Sequence, residues 1–191
     1  MKDYENFVLE NYETKEVLVK GTWANIFTLL IFIFSTLLFG SIYYLLWGNP
    51  FQGIFLNIQS FDIGFGFIYL VILVGFILLQ ENMYGMIWSR YTDVKINIIF
   101  KSITRICYCE KIISIKHYII GLIIPPVILG IIPSLIGILI ENIIILGFGL
   151  VMLTSGSLIF YYLYLFGKID KSKYLKDMDS KIGFIVYNLK S

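Results

Sequence analysis

Two short polar clusters interrupt the apolar stretches of this chain, and their side chains are the best candidates for chemistry. The first contains Gln80, Glu81 and Tyr84, and the second, at positions 154–157, ends in Ser157. Glu81 precedes Arg90 by about nine residues, and Ser157 precedes the end of its apolar stretch by about nine, roughly 13 Å of helix in each case. The matching depth predicts either a polar site shared by two helices or close packing through small residues.

Glu81 is a carboxylate within an otherwise apolar segment. Burying an ionised acid in hydrocarbon costs on the order of 3 kcal/mol on insertion scales. We therefore expect Glu81 to face the interior of a helix bundle or to be protonated.

A second candidate set is Cys107, Cys109 and His117, the two cysteines and the only histidine of the chain. Thiolate and imidazole are zinc ligands, but a closed site needs four of them. The simpler interpretation is a reduced, unligated cysteine pair, with His117 bonded to backbone or lipid phosphate at a membrane interface. The metal-site interpretation of these three residues stays open beside it.

The composition indicates what kind of protein must position these residues. Of the 191 residues, 58% are hydrophobic and only 15% are charged, whereas soluble domains have about a quarter charged. This favours a single membrane domain over residues 1–191 and argues against a soluble enzyme. The net charge of +2 is spread over several segments, which argues against nucleic acid as a partner. The first twenty residues are acidic and lack the apolar core of a signal peptide.

Four apolar stretches without Lys or Arg are long enough to cross a bilayer, at positions 22–47, 64–88, 118–140 and 143–166. Trp23, Trp47 and Trp88 lie near the ends of these stretches, where indole rings favour the lipid headgroups. The third stretch contains prolines that remove backbone donors, so we expect it to be broken at Pro125, Pro126 and Pro133.

The basic residues orient the spans. Six lie in the loop at 89–117, six in the tail at 167–191 and three before the first span, whereas segments 48–63 and 141–142 contain none. Because basic loops stay in the cytoplasm, we predict a multi-pass protein of a bacterial cytoplasmic membrane with both termini inside. Alternating apolar residues within 95–106 predict a hairpin in the loop. The expected fold class is thus an all-α polytopic membrane protein with four transmembrane helices, a broken third helix and a small cytoplasmic β-hairpin.

Five segments resemble the zincin-peptidase family, a bacterial membrane domain family that is similar to intramembrane site-2 metalloproteases. They read QENMYG at 80–85, CYCEK at 107–111, HYIIGLIIP at 117–125, SGS at 155–157 and DSKIGFIVY at 179–187. The family carries a His-Glu-x-x-His motif on a membrane helix and a Gly-Gly-Asp motif on the last one. The resemblance implies that two histidines and the aspartate would hold zinc while the glutamate activates a zinc-bound water.

At those motif positions this chain has Gln80 and Tyr84 for the histidines and Ser157 for the aspartate, so only Glu81 is kept. None of the three replacements is a good zinc ligand. We therefore expect no cofactor and a catalytically silent protein in the lipid bilayer that binds a transmembrane peptide or a partner membrane protein. Two alternatives stay open: an accessory subunit of a transporter or peptide-export system with Glu81 on the transport path, and a membrane hydrolase that uses Glu81 without zinc.

Overall fold

The computed structural model describes residues 12–48, 63–92, 109, 112–170, 173–178 and 183–189. Their helices are α1 (Gly21–Trp47), α2 (Ile63–Thr92), α3 (Ile115–Pro126), α4 (Ile132–Leu139), α5 (Ile143–Ser155) and α6 (Leu158–Phe166), with a π-helical segment at Val127–Ile131 between α3 and α4. Their strands are β1 (Tyr12–Leu18), β2 (Ile113–Ser114), β3 (Tyr174–Asp177) and β4 (Gly183–Leu189).

Within these residues, three helical stretches are long and apolar enough to cross a membrane. They are α1, Gly66–Tyr91 within α2, and Ile115–Leu139, which combines α3, the π-helical segment and α4. The pair α5 and α6 forms a fourth if the two are one bent span. The apolar stretches 22–47, 64–88, 118–140 and 143–166 are thus confirmed as helical, with shifts of a few residues at their ends.

Helices α1 and α2 present large apolar side chains outward. Phe34, Leu37 and Leu45 on α1, and Phe67 and Met86 on α2, are all between 65% and 80% exposed. A soluble monomer rarely leaves so many large apolar side chains in water, whereas hydrocarbon accommodates them. Such faces suit helices that cross a bilayer.

The third apolar stretch was predicted to be broken, but Ile115–Leu139 runs as one helical stretch whose hydrogen bonding changes to a π-helical pattern at Val127–Ile131. The π-helical segment begins directly after Pro125 and Pro126, which have no N–H to donate to the preceding turn. Pro133 lies in the first turn of α4, where a proline costs little. The Ser134 hydroxyl donates to Gly130 O at 2.8 Å and supplies one local donor.

The sharp bend lies in the fourth apolar stretch, for which the sequence analysis predicted no break. Helices α5 and α6 meet at 49°. Thr154 Oγ1 donates to Leu150 O of its own helix at 2.7 Å. The one hydroxyl hydrogen of Ser155 is shared between Met152 O of the same helix and a side chain of α2, each 2.8 Å from Oγ. Such bonds bend helices, and α5 then ends at Gly156. The sequence analysis predicted a break only in the third stretch and assigned no bend to these hydroxyls.

Small residues allow α5 to approach the preceding helical segments closely. A Cβ at Gly149 would lie 2.6 Å from Ser134 N and 2.7 Å from Gly130 O, and one at Gly137 would lie 2.8 Å from Leu146 Cα. These neighbours are backbone atoms, so larger residues cannot be accommodated by side-chain movement. The turn between α4 and α5 is closed by Asn142, whose Oδ1 accepts from two backbone N–H groups of α5 at 3.1 Å.

The helical part of the predicted fold is confirmed, and the described residues also form an antiparallel sheet of strand order β1-β4-β3-β2, which the sequence did not predict. Strand β1 pairs with β4 along its whole length, from Tyr12 opposite Leu189 to Leu18 opposite Gly183. Strand β3 pairs with β4 on one side and with β2 on the other. The sheet thus joins the segments before the first span and after the last, whereas the sequence suggested strands only in the loop. The hairpin predicted within 95–106 lies outside the described residues.

The chain divides into two compact units. The strand unit comprises residues 1–24, 81–123 and 159–191 and includes the sheet. The helical unit comprises residues 25–80 and 124–158. The divisions fall near the ends of α1 and α6 and within α2 and α3, so these helices contribute to both units.

Candidate functional site

Gln80, which occupies the position of the first motif histidine, lies in the helical unit and is 2% exposed. The Ser155 hydroxyl on α5 donates to Gln80 Oε1 at 2.8 Å. The polar clusters of the second and fourth spans therefore meet, as their equal depth predicted. Their contact is a hydrogen bond between an amide and an alcohol, which are both neutral.

Ser157, which occupies the position of the family's aspartate, pairs with the first span. Its Oγ lies 2.7 Å from Thr28 Oγ1, and Ser157 is buried. The sequence analysis assigned no role to Thr28, because a single threonine in an apolar helix carries no distinctive pattern. The helical unit thus holds two neutral polar pairs, Gln80 with Ser155 and Ser157 with Thr28.

The other two candidates, Glu81 and Tyr84, belong to the strand unit. Glu81 is partly exposed. Tyr84 is buried, and its ring stacks on that of Trp88 with centroids 5.9 Å apart. Tyr84 therefore contributes to an aromatic core one helical turn after Glu81, and its surroundings are those of a packing residue.

The weaker metal set is only partly described. Cys109 is completely buried, His117 is exposed at the start of α3, and Cys107 lies outside the described residues. The Nδ1 atom of His117 lies 2.9 Å from Ser114 Oγ. Within the described ranges, no three residues among His, Cys, Asp and Glu are grouped so that they could hold a metal ion.

A buried carboxyl group with several hydrogen bonds belongs to Asp177, which the sequence analysis did not single out. It lies on β3 and is 1% exposed. Its Oδ1 accepts from the Tyr118 hydroxyl and its Oδ2 from the backbone N–H of Cys109, both at 2.8 Å. The Asp177 N–H donates to Cys109 O at 3.1 Å. The hydrogen bonds of Asp177 thus link β3 to α3 and to Cys109.

An aromatic cluster is built around Tyr118, one of the two side-chain or backbone donors to this carboxylate. The Tyr118 ring lies 4.7 Å from that of Trp88, with the two planes 6° apart, and the Trp88 indole N–H donates to Tyr118 O at 3.2 Å. Phe166 meets Tyr118 edge to face at 5.7 Å. A Cβ at Gly121 would collide with the Trp88 indole, so a glycine is required there.

One sequence signal could have identified Asp177. In β3, Leu175 and Asp177 alternate with the less buried Tyr174 and Lys176, so the aspartate occupies the inward face of a strand. A carboxylate at such a position needs donors around it. Those donors come from residues 59 and 68 positions away, which no local pattern indicates.

Comparisons with protein-family models, with curated proteins and with solved structures give no match to this chain. The resemblance to zincin peptidases therefore stays a prediction that rests on the five segments quoted above.

Proposed function

We propose that this chain is a four-span protein of a bacterial cytoplasmic membrane, a catalytically silent relative of zincin peptidases that holds a transmembrane peptide or a partner membrane protein without cleaving it. In this proposal both termini and the sheet lie in the cytoplasm. The spans are α1, α2, the stretch Ile115–Leu139, and the bent pair of α5 and α6.

The observation that carries this proposal is the bond between Ser155 and Gln80. An amide oxygen is a weak zinc ligand, and this one already accepts a hydrogen bond at a site that is almost completely buried. Ser157 is likewise engaged by Thr28. Where the resemblance would place a histidine and an aspartate, the chain has side chains that bind neighbouring helices, which favours a structural role for these positions.

The placement in the membrane is supported by charge and by surface. All fifteen basic residues lie in the loop at 89–117, in the tail at 167–191 or before the first span. The exposed apolar faces of α1 and α2 suit contact with lipid or with a transmembrane segment.

Metal content and cleavage test the silent-enzyme proposal. We expect the detergent-purified full chain to hold no stoichiometric zinc and to leave a transmembrane test peptide intact. The same peptide should crosslink to a photoreactive residue substituted for Leu70 on the exposed face of α2. About one zinc per chain, lost in Glu81→Ala, would overturn the proposal. Zinc that survives Glu81→Ala but is lost in Cys107→Ser or Cys109→Ser would be structural and would leave the proposed lack of cleavage intact.

A reporter fused after Ser191 tests the orientation. We expect an enzyme reporter that works only in the cytoplasm to be active at this position. Activity of a reporter that works only outside would contradict the four-span topology.

A transporter or peptide-export subunit is the second candidate, and the position of Glu81 favours it. Glu81 is a partly exposed carboxylate within the membrane-crossing stretch Gly66–Tyr91, where ionisable side chains frequently mark transport paths. Glu81→Gln keeps the shape and removes the charge. Loss of transport with normal expression would favour this candidate, whereas retention of partner binding without any transport defect would favour the first.

A further inference from the structure

Strand β1 lies at one edge of the sheet that the described strands form, with β4 as its paired neighbour. In this strand Glu13, Thr14, Lys15 and Glu16 are all exposed. Since successive side chains of a strand point to opposite faces, both faces of β1 are open here. An edge strand of this kind presents backbone N–H and C=O groups to which a further strand can bond.

The charges of β1 restrict which strand can join this edge. The exposed part of the strand carries two acids and one base, Glu13, Glu16 and Lys15. Charged side chains on an edge prevent most strands from pairing with it, because like charges directly opposite each other are destabilising. The edge therefore accepts a strand whose charges are complementary to its own.

A second copy of β1 meets this condition. Two copies that join edge to edge in one sheet run antiparallel about a two-fold axis, and residues directly opposite each other point to the same face. If the axis passes between the two Thr14 residues, Glu13 of one copy lies opposite Lys15 of the partner subunit, and the reverse pair forms by symmetry. Opposite charges and paired threonines both stabilise antiparallel strands.

The other symmetric registers are less favourable. A register centred on Lys15 or Glu16 places that residue directly opposite its own copy, so like charges meet. A register centred on Glu13 or Val17 pairs only three residues of β1, whereas the register centred on Thr14 pairs five, Tyr12–Glu16. Length and charge together thus favour the register centred on Thr14.

The sheets of two copies also lie on the same side of the membrane. The buried face of the sheet contacts the start of α3 through the bond from the Tyr118 hydroxyl to Asp177. It contacts the end of α6 through Phe184, whose ring centroid lies 4.8 Å from that of Phe166. The proposed topology puts both of these helix ends at the cytoplasmic surface, where two copies in one bilayer can pair.

We propose that two copies of this chain associate through β1, in the antiparallel register centred on Thr14, and form one continuous sheet across the dimer. The inference goes beyond the proposed function, because it assigns an interface between identical chains. Five residue pairs make a small interface, so association should be weak and is best measured in membranes.

Disulfide formation tests the register. Membranes that contain the full-length variant T14C or E16C are isolated and oxidised, and dimers are measured by electrophoresis without reductant. Directly opposite residues of antiparallel strands have Cα atoms about 4.5–5.5 Å apart, which suits a disulfide. In the proposed register the two residues at position 16 are about 14 Å apart along the strands, which is too far. We expect T14C to form dimers at least about tenfold faster than E16C and than the original chain, which has the same native cysteines.

A charge swap tests the complementarity. In the T14C background, K15E turns both Glu13–Lys15 pairs into like-charge pairs, each of which weakens association about fivefold. The initial rate of disulfide formation should then fall about 25-fold. The double swap E13K/K15E restores opposite charges and should return the rate to within about twofold of T14C alone. The reaction of the thiol at position 14 with a small maleimide corrects for effects of charge on the thiol itself.

Several outcomes would overturn the inference. Equal dimer formation by T14C and E16C would refute the register, and a swap that fails to restore the rate would refute the charge pairing. A crosslinked product whose mass is not that of two copies would assign the edge to another protein. These positions are exposed, so the variants should fold, as an unchanged thermal unfolding midpoint will verify. An outside reporter after Ser191 together with the T14C dimer would support the interface and refute only its cytoplasmic placement.

Discussion

The two units bury different kinds of polar group. The helical unit holds neutral pairs, Gln80 with Ser155 and Ser157 with Thr28, each joined by a side-chain hydrogen bond. The strand unit holds a carboxylate, Asp177, that accepts hydrogen bonds from a tyrosine hydroxyl and a backbone N–H. Burying a neutral pair that is hydrogen-bonded costs little free energy, and the pair stabilises the fold only slightly. A buried carboxylate is strongly destabilising unless hydrogen-bond donors surround it.

This difference predicts where substitutions will matter. Losing one neutral partner leaves an amide or a hydroxyl that finds another bond nearby, because helix carbonyls are abundant. Losing the carboxylate leaves two buried donors without their acceptor. The residues that the family resemblance singled out should therefore tolerate substitution better than Asp177.

The largest effect is expected for Asp177→Ala. Each buried donor left without an acceptor costs about 1–3 kcal/mol, so the free energy of unfolding should fall by about 4 kcal/mol. Glu16→Ala, on the exposed part of β1, should change it by less than about 0.5 kcal/mol. Denaturant unfolding of the full chain in detergent, followed by tryptophan fluorescence, measures both. Equal losses in the two variants would contradict a special role for Asp177.

Gly149→Ala should have the next largest effect, in the helical unit. The added methyl group would meet backbone atoms of Ser134 and Gly130, so the helices must separate, at a cost of about 3 kcal/mol. The matched control is Gly75→Ala on α2, where the same atom meets none of the described residues within 4 Å. There alanine should be neutral or stabilise by up to about 1 kcal/mol through its helix propensity. Similar unfolding curves for both variants would show that α5 does not pack as closely as the geometry indicates.

Tyr118→Phe removes one of the two donors to Asp177 and keeps the aromatic stack. Hydrogen bonds to charged groups contribute about 1.5–3 kcal/mol, so we expect a loss of about 2 kcal/mol in the same unfolding experiment. Tyr44→Phe, at an exposed position on α1, removes the same atom and should have no measurable effect. If the two phenylalanine variants behaved alike, the Tyr118 hydroxyl would contribute nothing through Asp177.

The smallest effect is expected for Ser155→Ala. Interhelical hydrogen bonds in membrane proteins contribute about 0.6 kcal/mol on average, and a double-mutant cycle with Gln80→Ala should return a coupling energy of this size. The control is Ser35→Ala, because the one partner of the Ser35 hydroxyl among the described residues is Phe32 O of its own helix. A coupling free energy above about 2 kcal/mol would make this neutral pair as stabilising as a hydrogen bond to Asp177. The proposed difference between the two units would then be wrong.

The sequence predicted the long helices and the contact between the two polar clusters. It did not predict which residues of the clusters bond to each other. Equal depth indicated that the second and fourth spans face each other, and the Ser155–Gln80 bond confirms this. Depth does not specify rotation about the helix axis, so Ser157 was expected near the second span, whereas it binds Thr28 on the first. The sequence analysis assigned a break to the prolines, whereas the 49° bend lies beside the hydroxyls of Thr154 and Ser155.

The sequence by itself determined the long apolar helices, because a long, mainly apolar run buries its backbone polar groups only if they bond to one another, as they do in a helix. Only the tertiary structure decided the sheet and the Asp177 cluster. Strand β1 pairs with β4 from the opposite end of the chain, and the partners of Asp177 precede it by 59 and 68 residues. Local periodicity indicates which face of a strand is buried, but not which distant donors will satisfy a carboxylate on that face. Which donors reach Asp177 depends on how the helices bring distant segments of the chain together.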